Sequence, residues 1–170
     1  DCVMIAQRRL DVGDLNERAR TLLQAAGAVG ADEVDLPGGS FAVGDQVVVR
    51  RNDRRIGISN GQRAEVVGID VAAGSLEISC AGRRVTLDRR FLSDERGDGE
   101  PTLLHGYAMT GHVAQGATVD RAFVLASEGM SREWAYVALS RGRASNQLYV
   151  AAHPEDERAE FAPTSPDHRD

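Results

Sequence analysis

Gly106-Tyr107-Ala108-Met109, followed by Thr110-Gly111-His112-Val113-Ala114-Gln115-Gly116, is an apolar run that gives way to small and polar residues. A short apolar run bounded in this way predicts a buried strand, and His112 to Gly116 predict a turn or short helix. Further along, Ala122–Ala126 and Leu148–Ala152 repeat the buried-strand pattern. Between them Ser131 is positioned to cap a helix running from Arg132 to about Leu139. Strands alternating with helices are the pattern of an α/β domain built on a parallel sheet.

The chain opens on the same pattern. Cys2–Ala6 predicts a strand, and Leu15, Ala19, Leu22, Leu23 and Ala26 recur behind it at helical spacing. Asp11 or Asp14 is expected to cap this helix, and Gly27 or Gly30 to end it. Neither flank has enough strands to close a core alone, but together they supply at least four. The expectation is one α/β domain in two pieces, residues 1–37 and 100–153.

Composition changes between the pieces. Pro37-Gly38-Gly39-Ser40 reads as a linker. Strand-like runs follow at 41–49, 63–71, 75–80 and 83–87, joined at Asn60-Gly61, Ala73-Gly74 and Ala81-Gly82. Short strands at this spacing predict a small antiparallel β-barrel over residues 38–99, with a polar return linker near its end. From Pro154 onward proline and charge dominate, which predicts a disordered tail over 154–170.

The net charge is −6, but residues 41–93 hold nine arginines against six acids, leaving +3 there. The middle of the chain can therefore face a polyanion while the whole is acidic. All 20 basic residues are arginine. A P-loop needs G-x-x-x-x-G-K-[ST], whose lysine reaches the β- and γ-phosphates. Without lysine this chain has no P-loop, and nucleotide hydrolysis would have to borrow its phosphate cradle from elsewhere. The start at Asp1 rather than Met is expected of a fragment. Cys2 and Cys80 are expected to be buried and reduced, and no apolar run approaches the ~20 residues of a membrane span. No membrane partner and a cytoplasmic location are expected. His105, His153 and His168 lack ligand spacing, so no metal site is expected in the chain.

Four groups of residues can carry chemistry. Thr110 and His112 follow a strand at the edge where α/β sheets gather ligands, and can donate to phosphate oxygens; they can equally close a turn. Gln115 and Gly116 add an amide and a close backbone approach. Arg141 ends an apolar helix, with Arg143 two residues on. A guanidinium there can grip phosphate bidentately, or serve the helix dipole. Arg51, Asn52 and Arg54, with Asn60 nearby, can track a phosphate backbone. Phe41 and Phe91 are the aromatics of the insertion, which makes a base-stacking platform a weak reading.

In combination these segments resemble the second motor domain of superfamily 1 helicases of the RecD-like branch, nearest to the helicase part of TraA/TraI (MobF) conjugative relaxases. Thr110 to Asp120 resembles motif V, T-x-H-K-A-Q-G-x-T-x-D. Tyr136 to Arg141 resembles motif VI. Residues around Arg8 and Leu15-Asn16 resemble the motif IV region. Phe41 to Asp45, with Arg51-Asn52-Asp53 and Ser59-Asn60-Gly61, resembles the start of an inserted SH3-like barrel. The resemblance implies a RecA-like fold split by that barrel, and ATP-driven 5′-to-3′ movement on single-stranded DNA. It implies DNA contacts from Thr110, His112, Arg51, Asn52, Arg54 and Asn60, and an arginine finger at Arg141. Gln115 and Gly116 would lie between the DNA and nucleotide sites, with Arg143 and Arg8 also on the nucleotide side. ATP and Mg²⁺ would be held by the first motor domain of the same polypeptide, so the chain alone would be inactive. Val113 departs from the pattern, where the family carries lysine. The competing reading is a non-catalytic DNA- or protein-interaction module derived from a degenerate motor.

Overall fold

The computed structural model describes residues 1–93, 100–116 and 118–150. The expected return linker and the expected tail at 154–170 lie outside these. Strand β1 (Cys2–Ala6) leads into helix α1 (Arg9–Ala25), followed by the hairpin β2 (Glu33–Leu36) and β3 (Gly39–Ala42). Strands β4 (Gln46–Val49), β5 (Arg63–Asp70), β6 (Ser75–Cys80) and β7 (Arg83–Leu87) precede a one-turn helix α2 (Arg89–Ser93). Then come β8 (Leu103–His105), β9 (Ala108–Thr110), β10 (Val119–Ala126), helix α3 (Arg132–Leu139) and β11 (Gly142–Val150).

Strands β11, β10, β1 and β9 form one sheet in that order, and every pairing is parallel. Successive residues of a strand face opposite sides. Val3, Ile5, Ala122 and Val124 form the core against α3, which contributes Ala138. On the other side Met4, Phe123 and Leu125 face Leu15, Leu22 and Leu23 of α1 across an open apolar groove of about 1150 Å³. That opening explains why α1 buries none of its residues fully. It also explains why Cys2, expected to be buried, is exposed, while Cys80 is buried.

Helix α1 starts earlier than its expected caps. Arg8 occupies the N-cap with no side-chain cap bond. Asp11 instead lies in the first turn, where it accepts from Arg8 Nε at 2.8 Å and Nη2 at 2.9 Å. The helix ends as expected at Gly27, whose φ of 71° allows the Ala28 N–H to donate to Leu23 O and the Gly27 N–H to Gln24 O.

The middle of the chain forms an antiparallel sheet in the order β7, β6, β5, β4, β8, with the β2–β3 hairpin beside it. Phe41, Val47, Val66, Ile78 and Leu87 are among its core residues. The unit is wider than the expected 38–99. Pro37-Gly38 is not a linker but the turn of the β2–β3 hairpin, and Val34 joins the core. Leu103 to His105 pairs with β4 and brings Leu103 into the same core. The signal in 103–105 is short, and its partner lies over fifty residues away, so the local pattern does not reveal it.

Candidate nucleic-acid and nucleotide interface

Strand β9 delivers the 110–116 turn to the carboxyl edge of the parallel sheet. Ala114 N–H returns to Thr110 O at 2.9 Å, and Thr110 Oγ1 accepts from Val113 N at 3.4 Å. The Thr110 hydroxyl thus helps to close the turn. His112, Gln115 and Gly116 are exposed, while Gly111 and Ala114 are buried. Val113 packs partly buried against the α3 core, an apolar setting that suits valine.

Helix α3 begins at Ser131, as expected, whose hydroxyl accepts from Trp134 N at 3.2 Å. It ends at Arg141. There Arg141 Nε donates to Val137 O at 2.8 Å and Nη2 donates to Ser140 Oγ at 2.7 Å. The guanidinium is folded back on its own helix. Arg143 lies inside β11, which begins six residues before the expected strand, and its Nη2 donates to Asp120 Oδ1 at 2.6 Å.

The candidate residues do not form one cluster. Thr110 and Ala6 stand level with Leu125, whereas Arg141 precedes Gly142, the partner of Val119. Six residues of strand separate these levels, about 20 Å at ~3.3 Å per residue. Arg8, two residues past Ala6, belongs to the carboxyl edge with His112; Arg141 and Arg143 belong to the opposite edge.

The third group sits on the loop between β4 and β5. Asp53 and Ile58 exchange two backbone bonds of 2.9 Å each, and Ile58 is buried. Asn52 Oδ1 accepts from Asn60 N at 2.8 Å, so this asparagine shapes the loop. Arg83 from β7 donates to Gly57 O. Arg51 lies 5.8 Å from the centre of the Phe91 ring, and Arg54 is exposed. Phe41 and Phe91 are buried in the core and offer no stacking surface.

Residues missed in the sequence join the two sheets. Asp45, wholly buried, accepts from Arg20 Nε at 3.0 and 3.1 Å, from Tyr107 Oη at 2.6 Å and from Ala42 N at 2.7 Å. His105 lies 3.9 Å away. Burial pushes the Asp45 carboxyl up, but His105, Arg20, Tyr107 and the Ala42 N–H outweigh it and hold it at about 2. Burial and the Asp45 carboxylate push the Tyr107 phenol well above its usual range. Arg20 Nη2 also donates to Glu33 at 2.8 Å, tying α1 to β2. Arg63 of β5 donates to Gly106 O at 3.3 Å and Cys2 O at 2.9 Å. Asn16 of α1 clamps β9, donating to Ala108 O at 3.1 Å and accepting from Ala108 N at 2.9 Å. Gly44-Asp45 and Leu15-Asn16 stand out in the sequence, but their partners Arg20, Tyr107 and Ala108 lie 25 to 92 residues away.

No protein-family model matches the chain. It is 37% identical over 155 residues to the conjugal transfer protein TraA of Rhizobium radiobacter, covering 86% of this chain and 13% of that protein. The chain thus spans a small part of the length of that relative. Among solved structures it is similar to Bacteroides Pif1 bound to single-stranded DNA, with a TM-score of 0.64 at 20% identity over 95% of this chain and 44% of that one. The same helicase in complex with ADP-AlF3 and single-stranded DNA gives a TM-score of 0.63 at 19% identity, over 94% and 44% of the two chains. The chain is homologous to one segment of the TraA conjugal transfer proteins, in line with the family resemblance of its sequence, and folds like part of the Pif1 helicases.

Proposed function

We propose that the chain is the second motor half of an ATP-dependent DNA translocase of the RecD-like kind, inside a longer cytoplasmic relaxase-helicase. It moves 5′ to 3′ on single-stranded DNA. The two flanks, through α1 and from β9 onward, are the motor domain, and the antiparallel unit from β2 to β8 between them is an SH3-like barrel that helps to hold the strand. Thr110, His112, Arg51, Arg54 and the Asn52–Asn60 loop face the DNA backbone. Arg141 swings off Ser140 to meet the γ-phosphate of ATP held, with Mg²⁺, by the first motor domain. Gln115, Gly116, Arg143 and Arg8 serve the nucleotide side. Bound nucleotide supplies the phosphoanhydride; this chain supplies charge and position.

The observation that carries this reading is one helix joining two distinct surfaces: an exposed turn at one sheet edge and an arginine at the other. The Pif1 neighbours, solved with single-stranded DNA and with ADP-AlF3, support the two ligand classes. Binding of an oligothymidylate of about 16 nucleotides to this chain tests it. Affinity is expected to fall steeply with salt and to weaken in His112→Ala and Arg54→Ala. Salt-independent binding, or binding untouched by both substitutions, contradicts the assignment.

A further inference from the structure

Helix α3 touches both ends of the proposed machinery. At its start the Trp134 indole lies against Gly111, between Thr110 and His112. A Cβ on Gly111 would stand 2.6 Å from Trp134 Nε1 and 2.9 Å from Cε2, distances that real Cβ atoms do not adopt. The indole therefore fills the space that only glycine leaves. Just past the other end, after the Ser140 C-cap, stands Arg141, whose Nε is bonded back to Val137 O in the last turn of the helix at 2.8 Å. Between the ends the helix is held firmly. Ser131 caps it, and Ala138 is fully buried against the sheet. Its eight residues span about 12 Å at 1.5 Å each. A shift of the turn that moves Gly111 must move the indole, and with it the start of this short rod. Gln115 and Gly116 are exposed, by contrast.

We propose that Trp134 is a positioning residue: its packing on Gly111 passes the state of the DNA-facing turn along α3 to Arg141. This rests on the motor reading above. The relay runs through Gly111, Trp134 and the helix, rather than through Gln115 and Gly116.

Trp134 is the chain's only tryptophan, so its emission reports directly on this joint. Oligothymidylate binding to the chain is expected to shift that emission with the same midpoint as binding itself; binding with unchanged emission overturns the relay. The second arm uses the longer polypeptide that carries a P-loop. Trp134→Ala should lower DNA-stimulated kcat for ATP about tenfold, with DNA-free turnover and the KM for ATP within about twofold. Trp134→Phe, which keeps a ring on Gly111, should recover most of the stimulation. Gly111→Ala, which displaces the indole without shortening it, should reproduce the loss. Stimulation retained in Trp134→Ala overturns the relay alone. Loss of DNA-free turnover together with stimulation, unrescued by phenylalanine, reduces Trp134 to a packing residue and also overturns it. A parent protein whose turnover ignores DNA overturns the motor reading and the relay with it.

Discussion

Asp45 shows what one buried charge does here. It is enclosed by Arg20, Tyr107 and the Ala42 N–H, groups drawn from α1, the β8–β9 junction and the end of β3. Removing its charge leaves Arg20, with 14% of its side chain exposed, without its more buried partner. Asp45→Asn is expected to cost about 2–4 kcal/mol, read as a lowered urea midpoint. Tyr107→Phe removes one bond and should cost about 1 kcal/mol. The pH dependence follows from the depressed carboxyl. Asp45 ionises at about 2 in the folded chain and near ~3.9 when unfolded. Its stabilisation is therefore fully present above the unfolded value and is lost as pH falls from about 4 to about 2, amounting to about 2–3 kcal/mol. The difference in melting temperature between the parent and Asp45→Asn should shrink over that window. A difference that stays constant from neutral pH to about 2 would contradict the assignment.

At the scale of elements, the Asn16 clamp joins α1 to β9, the strand that carries the candidate turn. Asn16→Ala should cost about 1–2 kcal/mol and speed hydrogen exchange at the Ala108 amide before the rest of the sheet opens. Ser131→Ala removes the α3 cap and should cost about 1 kcal/mol. The elements legible in the sequence are those whose causes are local. α3 follows from its serine cap and apolar run, and the end of α1 follows from Gly27. The four parallel strands follow from short apolar runs. β2, β3 and β8 were not legible, because each is stabilised by a partner rather than by its own pattern. Pro37-Gly38 is a chain reversal in either reading, and only the pairing of Val34 with Phe41 makes it a hairpin. The early start of β11 was hidden for the same reason. Gly142 to Gln147 is polar, and its pairing with β10 rather than its hydropathy makes it a strand. Within the candidate site, residue types and order were legible. The separation of Arg8 from Arg141 was not, because strand level is set by a register across distant segments.

For the whole molecule, two surfaces lie at opposite edges of one parallel sheet, bridged by α3, beside an antiparallel unit bearing an arginine loop. The chain covers 13% of its TraA relative and 44% of the Pif1 structure it resembles in fold. A half-site of this kind should bind a strand yet turn over no ATP by itself. Without a lysine in the chain, a measurable turnover by the purified 170 residues would contradict that division of labour. The sharpest test is Arg141→Ala in the longer polypeptide that carries a P-loop, followed by single-turnover ATP hydrolysis with DNA present. Loss of about 10³-fold or more in rate, with nucleotide affinity retained within about threefold, is the predicted result for an arginine finger. Hydrolysis at the parent rate would contradict it.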